Sequence, residues 1–311
     1  MRKYESIKKI DLHCDLVGSI DLDLIAKWLK VDKSKAKELM TFKKTKDYPQ
    51  KISSAYDLLQ TKTHLKEATE CLIESLFKEN IIHAEIYVSP LLHTKKTLDI
   101  EEVILSILSG LNDKISAKIV LVINREDTLT DSKKIINLAK KYQDKGIAGI
   151  SLFGDEVLYP TRTFESLLKY AKDKDVPFTI HVNPNANSSE IDDAIEYGAT
   201  RVCCGLSAIK SFKTMESLKK YKVPLEICFT KDIDENDYKN INDHPVSRLI
   251  DSGVPIVISS GMRTITRTDL SHEYYLLNKA YNISNEYFKK MNRLALESSL
   301  FSKKEKMNIL S

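Results

Sequence analysis

Eight short runs of apolar and β-branched residues recur along the chain, and segments with helical periodicity separate them. The runs cover 7–12, 81–88, 117–123, 146–153, 178–182, 201–204, 225–229 and 255–259. The clearest helical segment places apolar residues on one face, at Leu65, Ala68, Leu72, Ile73 and Leu76. Alternation of strands and helices predicts parallel strands joined by crossover helices. Eight such units in one chain predict an α/β fold, a (β/α)8 TIM barrel.

The chain is long enough for one large barrel. It has 311 residues but only 9 Gly and 8 Pro, and no linker-like stretch divides it. A doubly wound open sheet is the alternative, although no GxGxxG motif follows the first strand. We predict a single barrel domain over 1–311, with a helical insertion after strand one at 30–62 and closing helices over 266–311. Gly253 is suited to end the helix before the eighth strand.

Composition excludes several classes of protein. The 48 basic and 44 acidic residues give a net charge of +4, and their interleaving indicates a solvated surface rather than a nucleic-acid-binding stripe. The five cysteines form no CxxC pair, which is typical of reduced thiols. No apolar run approaches the roughly 18 residues of a membrane span, and the N-terminus lacks a signal-peptide core. We therefore expect a cytoplasmic protein that binds neither nucleic acid nor membranes.

Polar residues mark the ends of several predicted strands, where TIM barrels carry their chemistry. His13 and Asp15 are two residues apart, so on a strand their side chains point the same way and can share a metal ion. A hydrogen-bonded histidine beside a helix-capping aspartate is the other interpretation. His181 ends the fifth run and Cys204 ends the sixth, and each is either a ligand or a buried structural residue.

Several segments, taken in order, are similar to the motifs of one known family. IDLHCDLVGS is similar to a His-x-His-Leu-Asp-Gly motif, and GISLFGDE to a Leu-x-Gly-x-Glu segment. TIHVNP stands in the place of His-Ala-Gly-Glu, RVCCG in the place of Arg-x-Gly-His-Gly, and the segment that ends in VISSGMR parallels one ending in Asp-Asp-Pro. In this order the segments resemble the adenosine deaminase family of metal-dependent hydrolases over nearly the whole chain. The resemblance implies the family's barrel fold.

The resemblance also implies a zinc ion held by four residues. The first and third ligand positions match, at His13 and His181. Asp15 stands at the second position, and Gly261, which has no side chain, stands at the fourth. We therefore assign His13, Asp15 and His181 as the metal residues and expect zinc binding to be weak or absent. Arg263 follows Gly261 by two residues. It either turns inward, pairing with Asp15 in place of the metal's charge, or faces solvent.

Most of the catalytic and substrate positions implied by the resemblance are replaced. Pro184 stands at the position of the family's glutamate that exchanges a proton with the purine. Cys204 stands at the position of the histidine that orients the zinc-bound hydroxide. Val17 and Met262 replace two aspartates that contact the nucleoside in the family. Gly154 matches, and its backbone N–H would face the purine. The substrate-binding candidates are thus Gly154 and Cys204, and no catalytic residue is assigned.

Three interpretations of function follow. The first is a degenerate barrel without classical adenosine deamination, acting by binding a small molecule or a protein partner. The second is an active metal-dependent hydrolase or deaminase acting on a purine nucleoside or a related small molecule, because two imidazoles and a carboxylate can still bind zinc or iron. An ordinary adenosine deaminase with altered residues is the third, and it lacks an assigned proton-transfer group.

Overall fold

A computed structural model gives the protein eight parallel strands, which pair in the order β1 to β8. The structure describes residues 4, 6–41, 48–235, 238 and 240–310. The strands are Lys9–Asp15 (β1), Ile81–Val88 (β2), Ser116–Asn124 (β3), Ile147–Phe153 (β4), Phe178–Val182 (β5), Val202–Cys204 (β6), Leu225–Ile227 (β7) and Ile256–Ile258 (β8). Helices connect them, so the predicted (β/α)8 fold class is confirmed.

Helices follow every strand in the described part of the chain. They are Leu22–Leu29 (α1), Lys33–Met40 (α2), Tyr48–Leu58 (α3), Lys62–Lys78 (α4), Ile100–Leu108 (α5), Leu129–Lys141 (α6), Glu165–Asp173 (α7), Ser189–Glu196 (α8), Phe212–Tyr221 (α9), Phe229–Glu235 (α10), Val246–Asp251 (α11), Leu270–Tyr281 (α12), Asn285–Ser298 (α13) and Lys303–Leu310 (α14). The helical insertion after strand one corresponds to α2 and α3, with 42–47 outside the described residues. The closing helices are α12 to α14. Of the helices described, none has the length and apolarity needed to cross a membrane.

The chain divides into two compact units. The first comprises Met1–Ile119, Cys228–Asp237 and Ser259–Leu276, and the second comprises Val120–Ile227, Tyr238–Ile258 and Leu277–Ser311. β1 and β2 belong to the first unit, β4 to β8 belong to the second, and β3 spans the division. The single domain over 1–311 stays a prediction.

Helix α4 shows how local sequence builds the core of the first unit. The side chain of Thr61 caps the helix by accepting a hydrogen bond of 3.2 Å from the backbone N–H of His64. The predicted apolar stripe is buried in full, at Leu65, Ala68, Leu72, Ile73 and Leu76. Burial of each large aliphatic side chain contributes about 1.5–3 kcal/mol. Packing of one apolar face therefore holds α4 in place.

In the second unit, Gly253 ends α11 as predicted. Its φ of +76° lies in the left-handed region that favours glycine. The N–H of Gly253 donates to the carbonyl of Ile250 at 2.9 Å, and the N–H of Val254 donates to the carbonyl of Leu249 at 3.0 Å. This pair of bonds is a Schellman motif, which satisfies carbonyls at the end of the helix and directs the chain into β8.

The strands differ from the predicted runs mainly at their ends. β1 continues to Asp15, three residues beyond the predicted run over 7–12, because Cys14 and Asp15 pair with Ile86 and Tyr87 of β2. β7 ends at Ile227 because α10 begins at Phe229. His13 and Asp15 are therefore part of β1 itself, as the alternation of their side chains assumes.

Candidate functional site

In the first unit, His13 and Asp15 lie side by side near the carboxyl end of β1. Nε2 of His13 is 3.5 Å from Oδ2 of Asp15, and the two side chains are 13% and 16% exposed. The ring of His13 stacks on Tyr87 of β2, with 3.9 Å between the ring centroids. The structure thus brings these two predicted ligands together as a partly exposed polar pair. A histidine nitrogen and a carboxylate oxygen are both metal-ligand atoms.

Gly261, the position of the fourth ligand in the resemblance, is bonded through its backbone to this end of β1. Its N–H donates to the carbonyl of His13 at 2.8 Å, and its carbonyl accepts from the N–H of Asp15 at 3.0 Å. The φ of Gly261 is +62°, and a Cβ added there would lie 3.1 Å from Sγ of Cys228. Both observations favour glycine. A side chain at this position would be strained and crowded.

Substitution of Gly261 by aspartate should therefore lower the free energy of unfolding by about 1–3 kcal/mol, the typical cost of a strained backbone conformation. Urea unfolding of Gly261→Asp and Gly261→Ala measures this cost, and the alanine variant isolates the backbone contribution from that of the charge. Zinc added to Gly261→Asp should leave the midpoint of thermal unfolding unchanged. An aspartate variant as stable as the natural chain, and stabilised further by zinc, would contradict this interpretation of the position.

Arg263 is buried, but its partners differ from the predicted one. Its Nη2 lies 2.8 Å from Oε2 of Glu79, and its Nη1 lies 4.0 Å from Oδ2 of Asp11. The prediction that Arg263 pairs with Asp15 is therefore wrong, and so is the solvent-facing alternative. The turn after β8 directs the guanidinium toward the end of α4, where Glu79 is the C-cap residue. Arg263 thus forms a buried ion pair with carboxylates outside the predicted metal set.

Asp11 belongs to this buried ionic group, and its Oδ1 also accepts a hydrogen bond of 3.3 Å from the backbone N–H of His13. The register of β1 against β2 is irregular between Asp11 and Cys14. Asp11 accepts hydrogen bonds from the backbone N–H of Ser260, at 3.1 Å, and from its hydroxyl. Burial raises the pKa of Asp11 to about 6, against the opposing effects of Ser260 and Arg263.

Val17 and Met262, which replace the nucleoside-binding aspartates of the resemblance, are both buried. Their exposed fractions are 4% and 7%. A Cβ added to Gly18 would lie 2.4 Å from Cβ of Met262, so the methionine packs directly on the backbone of Gly18. The two apolar side chains therefore fill space in the first unit and provide no donor for a polar ligand.

In the second unit, Asn183 links the carboxyl ends of β4 and β5. Its Nδ2 donates to the carbonyl of Gly154 at 3.2 Å and to Oε2 of Glu156 at 2.6 Å. Its backbone N–H donates to Oε1 of Glu156 at 3.1 Å. Gly154 has a φ of +136°, and a Cβ there would lie 3.1 Å from Cβ of Arg125. Gly154 thus occupies a conformation that favours glycine and lies close to the side chain of Arg125.

Glu156 lies next to His181, the predicted ligand on β5. Its Oε1 is 3.9 Å from Nδ1 of His181 and 3.9 Å from Nη2 of Arg125. Burial raises the pKa of the Glu156 carboxyl, while the hydrogen bonds from Asn183 and the charge of Arg125 oppose the shift. Sequence reasoning did not assign Glu156 or Asn183 to the site. The sequence did contain a signal for Glu156, since it is the glutamate of the segment that resembles Leu-x-Gly-x-Glu.

Cys204 is the last residue of β6 and is buried, with a φ of +65°. Its neighbour Cys203 pairs in register with His181 of β5 and with Glu226 of β7. The carboxylate of Glu226 accepts a hydrogen bond of 2.7 Å from Nε of Arg201, and both side chains are fully buried. The interior of this unit therefore contains a compensated ion pair. The assignments of Gly154 and Cys204 to substrate binding stay predictions.

The ordered motifs and the fold agree with one family of proteins. Residues 9–311 match the family model described as adenosine deaminase. The chain belongs to the adenosine deaminase family. Among its relatives, the adenosine deaminase of Enterococcus faecalis is 28% identical, and the match covers 98% of this chain and 95% of that protein. The family resemblance seen in the sequence is thereby confirmed.

Solved structures share the fold of this adenosine deaminase family member at lower identity. The N6-methyl-AMP deaminase of Arabidopsis thaliana has a TM-score of 0.85 and 20% identity, covering 99% of this chain and 96% of its own. An amidohydrolase from Burkholderia ambifaria, with bound zinc, has a TM-score of 0.89 and 15% identity, covering 98% and 89%. These neighbours support the barrel architecture over almost the full chain.

Proposed function

We propose that this family member is a degenerate barrel that binds a small molecule or a protein partner and does not carry out ordinary adenosine deamination. The observation that carries the proposal is the state of position 261. Glycine there has no ligand atom in its side chain, its φ is +62°, and its backbone is hydrogen-bonded to His13 and Asp15. The lost ligand is thus accompanied by a local conformation that disfavours any side chain.

The ligand set that the resemblance implies is incomplete in this chain. Of its four positions, His13, Asp15 and His181 carry a donor side chain and position 261 does not. Structural zinc sites have four protein ligands and catalytic sites have three plus water. The nearby cation, Arg263, is paired with Glu79. Zinc binding that is weak or absent is therefore part of the proposal.

The groups that move protons in the family also lack counterparts. Pro184 has no ionisable group, and Cys204 has no imidazole. Glu156 is the acidic residue beside His181, but both of its carboxylate oxygens accept hydrogen bonds from Asn183. General acid–base groups commonly contribute about 10²–10⁴ in rate. Losing a zinc ligand, the proton donor and the orienting histidine together supports a binding role.

Titration with nucleosides tests the binding site. Adenosine and inosine should bind with a Kd of about 1 mM or weaker, because Val17, Pro184 and Met262 lack the polar groups that would hold them. Three lost hydrogen bonds to charged groups, at roughly 1.5–3 kcal/mol each, are enough to remove micromolar affinity even when they are only partly additive. Isothermal titration measures both Kd values, and a cooperative thermal transition of the same sample shows that the protein is folded. A micromolar Kd for either nucleoside would contradict the proposed loss of the purine site and favour the active enzyme.

A further inference from the structure

A cavity of about 330 Å³ lies in the first unit, between the α1–α2 segment and the turn that follows β8. Its lining is formed by Asp21, Leu22, Lys33, Lys37, Thr41, Arg263, Thr264 and Arg267. Four of these side chains are cationic and one is anionic. No residue that the resemblance assigns to the zinc ion or to the nucleoside lines this cavity, and its volume is within the usual range for small-molecule sites.

Two of the four cationic side chains, those of Arg263 and Lys33, already have an acidic partner. Arg263 pairs with Glu79 inside the protein. Lys33 forms an exposed ion pair of 2.8 Å with Asp23, which in water contributes little and can exchange for another anion. Asp21 accepts a hydrogen bond from the backbone N–H of Asp23 as the N-cap of α1, so its carboxylate also serves the helix.

The other two cations, Lys37 and Arg267, are exposed. Their side chains have no hydrogen bond or ion pair with any other residue that the structure describes. Lys33 and Lys37 are four residues apart on α2 and therefore project from the same face of the helix. Positive charge thus converges on the cavity without an equal number of acidic groups, and an anion bound there would relieve the repulsion.

The hydroxyl groups of the lining are used internally. Thr41 donates to the carbonyl of Lys37, and Thr264 donates to the carbonyl of Ile20, each at 2.8 Å. Recognition in the cavity must therefore come from charged donors rather than from neutral ones. A guanidinium presents a planar pair of N–H donors that matches a phosphate, and lysine supplies a point charge.

We propose that this cavity is a binding site for a phosphate group, carried by a small phosphate monoester or present as inorganic phosphate. Arg267 and Lys37 are its principal donors, and Lys33 assists by releasing Asp23. The turn after the last strand is a common location for phosphate sites in (β/α)8 barrels, which gives a fold-level analogy for the placement. The proposal concerns a second site and does not rest on the loss of deamination.

Isothermal titration with inorganic phosphate and with ribose 5-phosphate, at low ionic strength, tests the site. Each should bind with a Kd of about 1 mM or tighter, and the affinity should fall as salt is added. Equal affinities would identify free phosphate as sufficient, whereas tighter binding of ribose 5-phosphate would identify the monoester as the ligand. Absence of saturable binding of both at about 10 mM, ten times that Kd, would overturn the proposal.

Variants of the lining separate a real site from general surface charge. Arg267 has a φ of +55°, so Arg267→Gly suits the backbone and should leave the thermal midpoint near its original value. Arg267→Gly and Lys37→Gln should each weaken phosphate binding about tenfold, the effect of one charged hydrogen bond. The matched control is Lys35→Gln on the same helix, because Lys35 pairs with Glu38 at 2.9 Å and does not line the cavity.

Equal losses in the control and in the two lining variants would overturn the proposal, since they would show that only net charge matters. Adenosine, which is uncharged, serves as the second probe, and its weak or absent binding should be the same for the natural chain and for Arg267→Gly. This result keeps the two proposals distinguishable. Adenosine binding bears on the nucleoside site, whereas phosphate binding bears on the cavity of Lys37 and Arg267.

Discussion

Replacing Arg263 by methionine should lower the free energy of unfolding by about 3–5 kcal/mol, the usual cost of breaking a buried ion pair by removing one partner. The guanidinium of Arg263 lies 2.8 Å from Glu79 and 4.0 Å from Asp11. Asp11 is fully buried. Methionine keeps much of the side-chain volume, so the expected loss comes from carboxylates left without their cation rather than from a cavity.

Urea unfolding near neutral pH measures the effect, because both carboxylates would then retain most of their charge in the unfolded chain. The matched control is Lys33→Met, which removes an exposed ion pair with Asp23 and should cost less than about 1 kcal/mol. Adding Glu79→Gln to Arg263→Met should recover part of the loss, since it removes one orphaned charge. A loss below about 1 kcal/mol for Arg263→Met would contradict the buried ionic group described for the first unit.

Local patterns were enough to predict the fold. The spacing of Leu65, Leu72 and Leu76 identified α4 because helical periodicity depends on near neighbours, and Gly253 marked a helix end for the same reason. The end of β1 was misplaced because it depends on pairing across the sheet. Asp15 is held in the strand by Tyr87 and by the carbonyl of Gly261, and neither contact is visible in the residues around Asp15.

The site was predictable only in part. Alternation along a strand predicted that His13 and Asp15 would meet, and they do. The partner of Arg263 was not predictable, because Glu79 is 184 residues away in sequence and the turn after β8 decides the direction of the side chain. The contact of Asp11 with Arg263 and the link from Asn183 to Glu156 likewise join residues that are distant in sequence.

Adenosine deamination should be absent or barely above background in the natural chain. Position 261 lacks a ligand side chain, Pro184 lacks a proton to exchange, and Cys204 lacks an imidazole. Each loss commonly costs about 10²–10⁴ in rate. Two such losses alone would bring an ordinary turnover of about 10 s⁻¹ to about 10⁻³ s⁻¹ or less. Pro184→Glu should not restore activity by itself, because the ligand at position 261 would still be missing.

A spectrophotometric assay of adenosine deamination tests the central claim most directly. The purified chain, with and without added zinc, is compared with the adenosine deaminase of Enterococcus faecalis measured under the same conditions. We expect the rate of the natural chain to match that of a protein-free sample at all zinc concentrations. A turnover near about 10 s⁻¹, the ordinary value for enzymes, would show that the barrel retains a working site and would contradict the proposed degeneracy.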